Sequence, residues 1–193
     1  MTDFSKEYTD AFNHLMLDEV GPLWNPKDPD VIAGSITTPE QKKKVGYVNI
    51  KQDTGGETKF GVAKNANPDL DITNLTMEQA MQVYFDRYWI PGKCDKLSAA
   101  VSAIHFDGCV NHGVGRANKF LQTSVGVTAD GSIGPVTLNT ISIKNQKEIV
   151  EAISALRLKF YNDIVANKPS QKVFLKGWTN RINNITSYAL SKI

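Results

Sequence analysis

The chain has 193 residues, 41% hydrophobic and 22% charged, which suits one soluble globular domain, or one domain with a small helical extension. A net charge of +2 could assist approach to an anionic polymer but is too small to argue for nucleic acid. Residues 1–8 have neither a basic region nor a long apolar run, and no later stretch approaches the ~20 apolar residues that span a bilayer. The reading is therefore a chain with no secretory signal and no stable membrane insertion. No repeats or low-complexity tracts stand out.

Residues 4–20 read as an amphipathic helix, with Phe4, Tyr8, Phe12, Leu15 and Met16 on one face and Gly21-Pro22 as its stop. Residues 23–46 hold Pro26, Pro29, Pro39 and the run Lys42-Lys43-Lys44 without sustained periodicity. They predict a long surface excursion with at most one short helical turn. Tyr47, Val48 and Ile50 start a short strand, Asp53-Thr54-Gly55-Gly56 is a turn, and Thr58, Phe60 and Val62 return as a second strand.

The rest reads as helical. A Thr76…Gln79 capping box opens a helix to about Trp89, and residues 98–110 form a buried central helix. Further helices follow over 113–124, from Gly134-Pro135 to Ile141, and over 146–165. A last helix is capped by Ser170, with Val173, Phe174, Trp178, Ile182, Ile185 and Tyr188 on one stripe. No linker separates an independent second domain, so residues 1–193 read as one domain, with a first part to 95 and a helical part over 96–193.

Glu19 continues the apolar stripe of the first helix into its last turn. Apolar surroundings and the negative end of the helix dipole both disfavour its charged form. That suits a glycosidase acid, which must hold a proton to give to the departing oxygen. Periodicity alone does not separate this from a helix-end Glu turned out to solvent. The Asp53 carboxylate and Thr58 hydroxyl, on one glycine turn, could orient a water or support an oxocarbenium-like transition state.

His105, Cys109 and His112 fall on one helical face, and Cys94 could join them as a zinc site. No HExxH is present and the helix is rich in Ala and Val, which favours a core cluster over a metal. The two cysteines, Cys94 and Cys109, are no disulfide framework; a single bridge stays open in an oxidising compartment, beside two buried reduced thiols. Asp130-Gly131-x-Ile133-Gly134-Pro135-x-Thr137 fits either a wall-binding segment or a turn with Pro at the first helical position.

The order of these parts resembles the lysozyme superfamily. Gly46-Tyr47-Val48-Asn49 followed by Asp53-x-Gly55-Gly56-x-Thr58-x-Phe60-Gly61-Val62 is similar to the signature of glycoside hydrolase family 108. So are Tyr88-Trp89, Phe106-Asp107 with Val110-Asn111-x-Gly113, the segment from Phe120 to Leu138, Arg157, Phe160-Tyr161 and Gly177-Trp178-x-x-Arg181. Two features depart from the pattern: the excursion separates Glu19 from Gly46-Tyr47, and Ile50 stands where an Asp often follows the Asn.

The resemblance implies a mainly α, lysozyme-like domain with a small β hairpin near the active site. It implies a muramidase of the endolysin type, with Glu19 as acid, Asp53 and Thr58 in support, and Tyr47, Asn49, Phe60 and Asn111 lining the sugar path. It implies no cofactor and no metal, bacterial peptidoglycan as substrate, and a monomer made in the host cytoplasm that reaches the periplasm through a holin-type partner. The rivals are a zinc-dependent amidase or peptidase of the same polymer, and a non-catalytic cell-wall or secretion-associated module.

Overall fold

The computed structural model describes residues 3–49 and 56–193. Among them the fold is mainly α, with one two-stranded antiparallel sheet, the class that the sequence indicates. The chain divides into two compact units, Met1–Asp86 and Arg87–Ile193. No helix among the described residues is long and apolar enough to cross a membrane.

The first unit is organised by α1 (Lys6–Glu19). Its N-cap is Ser5, whose hydroxyl accepts from the Tyr8 N–H at 3.2 Å. Tyr8, Ala11, Phe12, Leu15 and Met16 are buried, as the stripe requires. Their rings belong to one aromatic cluster: Tyr8 meets Phe85 edge-on, Phe12 meets Tyr84 and Trp24, and Trp24 meets Phe60. Each such ring buries a large apolar area, and each well-oriented pair adds about 0.5–1.5 kcal/mol. The cluster ties α1 to the excursion, to the hairpin and to α4 (Met77–Tyr84), which opens on the expected Thr76–Gln79 capping box. A π-helical turn, Phe85–Trp89, follows α4.

The excursion is more ordered than its composition suggests. It contains α2 (Pro29–Ala33) and α3 (Pro39–Lys44). Pro29 and Pro39 each open a helix, behind the N-caps Asp28 and Thr38. Val31 and Val45 are fully buried, and Trp24 nearly so. Lys44 draws the two helices together through Asp28 at 2.8 Å and Asp30 at 3.6 Å. The three lysines are therefore not one solvated run: Lys42 and Lys43 are exposed, and Lys44 is half-buried and paired.

The hairpin pairs β1 (Thr58–Lys59) with β2 (Val62–Ala63), Thr58 opposite Ala63 and Lys59 opposite Val62. Its turn is Phe60–Gly61, inside the stretch 58–62 expected as one returning strand; of the expected Asp53-Thr54-Gly55-Gly56 turn only Gly56 is among the described residues. Phe60 and Gly61 have φ of 53° and 73°, the positive values at both positions that a type I′ turn needs. Val48 joins as a single bridge to Thr58, with both bonds made at 2.8 and 2.9 Å. Ile50, Asp53, Thr54 and Gly55 lie outside the described residues.

In the second unit α5 (Ala99–His112) is buried from Ala100 through Cys109, the central helix expected. Packed on it are α6 (Val114–Val125), α8 (Gln146–Asn167) and α9 (Lys172–Leu190), and α7 (Pro135–Ile143) packs on α6. Val101, Ile104, Leu121, Val125, Ile149, Ile153 and Ile185 fill the core between them. Ser170 does not cap α9; it lies in a preceding 3-10 turn, Pro169–Gln171. Val173 and Phe174 stand exposed, so the inward stripe of α9 takes hold only further along, at Ile182, Ile185 and Ala189.

Candidate active site

Glu19 is the last residue of α1 and is half-buried. The hairpin turn is laid directly against it. A Cβ built on Gly61 would stand 3.3 Å from Glu19 Oε2 and 3.5 Å from Glu19 Cβ, and would collide with the Tyr84 hydroxyl. Only glycine allows this approach at φ +73°. Two hydrogen bonds pin the turn: the Tyr84 hydroxyl donates to the Phe60 carbonyl at 3.0 Å, and the Phe60 N–H donates to the Val45 carbonyl at 2.8 Å. The left-handed backbone of Phe60 is strained for a residue with a side chain, and it persists because this surrounding structure holds it.

A second polar group forms around a carboxylate that sequence reasoning left unassigned. Glu57 Oε1 accepts from the Tyr47 hydroxyl at 2.9 Å and from the Thr73 hydroxyl at 2.6 Å. Asn49 Nδ2 reaches the Tyr47 hydroxyl at 3.4 Å. Tyr47, Asn49 and Glu57 are thus brought together beside the Val48–Thr58 bridge, and Lys42 Nζ stands 5.7 Å from the Tyr47 ring centroid. The findable signal was the register: pairing Val48 with Thr58 sets Asn49 opposite Glu57.

Thr58 is half-buried in β1, three residues before the glycine that touches Glu19. The neighbouring Lys59 is fully buried, an arrangement the sequence does not announce. Its ammonium donates to the Thr73 carbonyl at 2.8 Å, and burial lowers its pKa against the opposing pull of Glu57 and Asp71.

Phe60 is placed differently from the sequence expectation. Its ring is fully buried against Trp24, so it offers the site its backbone turn and no surface for a sugar. Asp53 lies outside the described residues. Asn111 belongs to the second unit, where Tyr161 and Arg181 engage its amide. With the oxygen turned to Arg181, at 2.7 Å from Nε, its nitrogen donates to the Tyr161 hydroxyl at 2.8 Å.

That contact is the edge of a buried charge network. Asp107 pairs with Arg157 at 2.5 Å and with Arg181 at 2.9 Å. Burial alone would raise the Asp107 pKa, but the two guanidinium groups outweigh it and hold it below the ordinary value. Arg157 Nε donates to His112 Nε2 at 3.1 Å. Burial first, and then Arg157, push the His112 pKa down to about 3, so its imidazole is neutral and its Nε2 lone pair is taken. His112 is therefore no partner of Cys94, His105 and Cys109, whose ligand atoms do gather.

The Asp130–Thr137 segment lines an open pocket of about 420 Å³ together with Gln122. Gln122 builds the turn: its amide nitrogen, Nε2, donates to Asp130 at 2.7 Å and to the Ser132 carbonyl at 3.0 Å, and its oxygen accepts from the Gly131 N–H at 2.7 Å. Asp130 is spent on that turn, since it also accepts from the Ser132 N–H at 2.8 Å.

Comparison with known proteins accounts for both units. The family model described as glycosyl hydrolase 108 matches residues 41–113, and that described as a predicted peptidoglycan domain matches residues 116–183. The structure of Brucella abortus SagA is similar, at 26% identity over 96% of this chain and 94% of that one, with a TM-score of 0.69. No curated protein matches the chain. Glu19 lies ahead of the matched stretch, and it is the Gly61 turn that brings it to the hairpin. The chain thus carries a glycosyl hydrolase 108 domain followed by a predicted peptidoglycan domain, and is a glycoside hydrolase directed at peptidoglycan.

Proposed function

We propose that the protein is a muramidase, cleaving the β-1,4 bond between N-acetylmuramic acid and N-acetylglucosamine, with Glu19 as the general acid. The observation that carries this reading is the seating of the Glu19 carboxylate against the Gly61 turn of the hairpin. Glu19 gives its proton to the departing glycosidic oxygen as the C1–O bond breaks. Asp53 and Thr58 support the incoming water or the developing oxocarbenium charge. Tyr47, Asn49 and Asn111 are the sugar contacts of this reading, the first two grouped on Glu57.

A zinc amidase or peptidase would need a metal with an open position facing substrate. The Cys94, His105 and Cys109 cluster is enclosed, each residue at most 1% exposed, so that chemistry has no access there. In the same reading the protein acts as a monomer of the phage endolysin type. It is made in the host cytoplasm and passes to the periplasm with a holin-type partner. This part rests on the resemblance to endolysins, and expression with and without membrane permeabilisation tests it: lysis without permeabilisation contradicts it.

Mass spectrometry of digested peptidoglycan tests the reaction. Fragments ending in a reducing N-acetylmuramic acid support the proposal. A 1,6-anhydro end makes the enzyme a lytic transglycosylase, a reducing N-acetylglucosamine end makes it a glucosaminidase, and intact glycan with cut peptides or an unchanged wall rejects glycan cleavage.

A further inference from the structure

The second unit holds a cluster that the glycosidase reading does not use. Cys94 starts a 3-10 turn, Cys94–Lys96, while His105 and Cys109 are one helical turn apart on α5. Their three ligand atoms lie within 4.8 Å of one another, and all three residues are buried. Cys109 Sγ stands 3.6 Å from His105 Nε2. A tetrahedral zinc ion, with Zn–S of about 2.3 Å and Zn–N of about 2.0–2.1 Å, sets its S···N edge at about 3.6 Å.

The surroundings are shaped around the same point. A Cβ on Gly92 would stand 2.8 Å from Cys109 Sγ, 3.2 Å from Cys94 Sγ and 2.7 Å from the Tyr88 carbonyl oxygen, so the two sulfurs converge only because this residue is glycine. The Gly92 carbonyl lies 3.0 Å from His105 Nε2 and brings an oxygen to the fourth side. Behind the imidazole, Asn118 interacts with the ring. Its Nδ2 donates to the Gly131 carbonyl at 2.9 Å, which holds Asn118 in place beside the ring.

We propose that Cys94, His105 and Cys109 form a structural zinc site, with the Gly92 carbonyl on its fourth side, that fastens the segment around Gly92 and Cys94 to α5. Two thiolates cancel the charge of a divalent cation, which makes the loaded site neutral, as full burial demands.

The test uses the full chain, stripped of metal under reducing conditions and titrated with Co(II). The expected result is one equivalent bound, with an intense thiolate-to-cobalt charge-transfer band that Zn(II) abolishes by displacement. The chain has only two cysteines, so such a band can come from nowhere else. Cys109→Ser should lose at least half the band intensity. Zinc should protect both thiols of the wild-type chain from alkylation. A folded, reduced wild-type chain that gives no charge-transfer band overturns the proposal, whether or not the Ser variant folds. So does rapid alkylation of both thiols with excess zinc present.

Discussion

The two units hold their polar groups in opposite ways. In the second, Asp107, Arg157, Arg181 and His112 sit on helices, out of water, with their charges and lone pairs directed at one another. In the first, Glu19 is half-buried beside a two-residue turn, and Glu57 joins hydroxyl groups near the surface. A buried network compensates every charge because it must. A carboxylate that reacts has to meet solvent and substrate, so its position comes from backbone geometry around it. The expectation is that substitutions in the second unit act on stability and those in the first act on turnover.

The largest effect on stability should come from Arg157→Ala. Removing one partner of a buried pair leaves Asp107 under-compensated and costs about 3–5 kcal/mol, a large share of a typical domain's stability. Urea unfolding measures it. Glu57→Gln in the first unit should shift the same transition little; if it costs as much as Arg157→Ala, the contrast fails.

Acid should act through the second unit next. The His112 pKa is lowered from 6.5 to about 3, chiefly by burial. The unfolded chain therefore binds this proton at a higher pH than the folded one. The stability tied to neutral His112 is present above pH 6.5 and is lost as pH falls towards 3. The lowered Asp107 pKa adds its own loss below the ordinary carboxylate range. Unfolding free energy measured against pH should fall across this window, and His112→Gln, which keeps an acceptor for Arg157, should flatten the fall. An unchanged slope would place the titrating group elsewhere.

Gly61→Ala sharpens the comparison from the other side. A left-handed backbone costs a residue with a Cβ about 1–2 kcal/mol, and the new methyl group displaces the Tyr84 hydroxyl and presses on Glu19. The melting temperature should drop modestly while turnover on peptidoglycan falls much further. Equal losses in both would make the turn a scaffold only.

The smallest effect belongs to Lys44. Its ion pairs with Asp28 and Asp30 are near the surface. Lys44→Ala should lower the melting temperature slightly, and added salt should erase the difference. A loss that survives high salt would mean the two short helices depend on this cation more than its exposure suggests.

Sequence periodicity revealed the helices because each carries its own signal, such as the stripe from Tyr8 to Met16 and the Thr76 capping box. It misjudged residues 23–46, where single apolar residues such as Val31 and Val45 are buried without any repeating pattern. It also missed that residues 58–62 fold back on themselves. Phe60–Gly61 lacks the composition of a common hairpin turn, and Phe60 keeps its positive φ through Trp24, Tyr84 and Val45, none of them local. Glu19 was legible as an acid on an apolar stripe; its contact with Gly61, 42 positions away, was not. The Asp107 network was hidden in the same way, since its arginines lie 50 and 74 positions further on.

The central claim is that the carboxylate seated on the Gly61 turn is the acid of a glycosidase, and Glu19→Gln tests it most directly. The amide keeps the shape of the side chain and cannot supply the proton. Release of soluble fragments from purified peptidoglycan should fall by orders of magnitude, with the circular dichroism spectrum and the urea midpoint unchanged. Near-normal release by a folded Glu19→Gln protein would contradict the account.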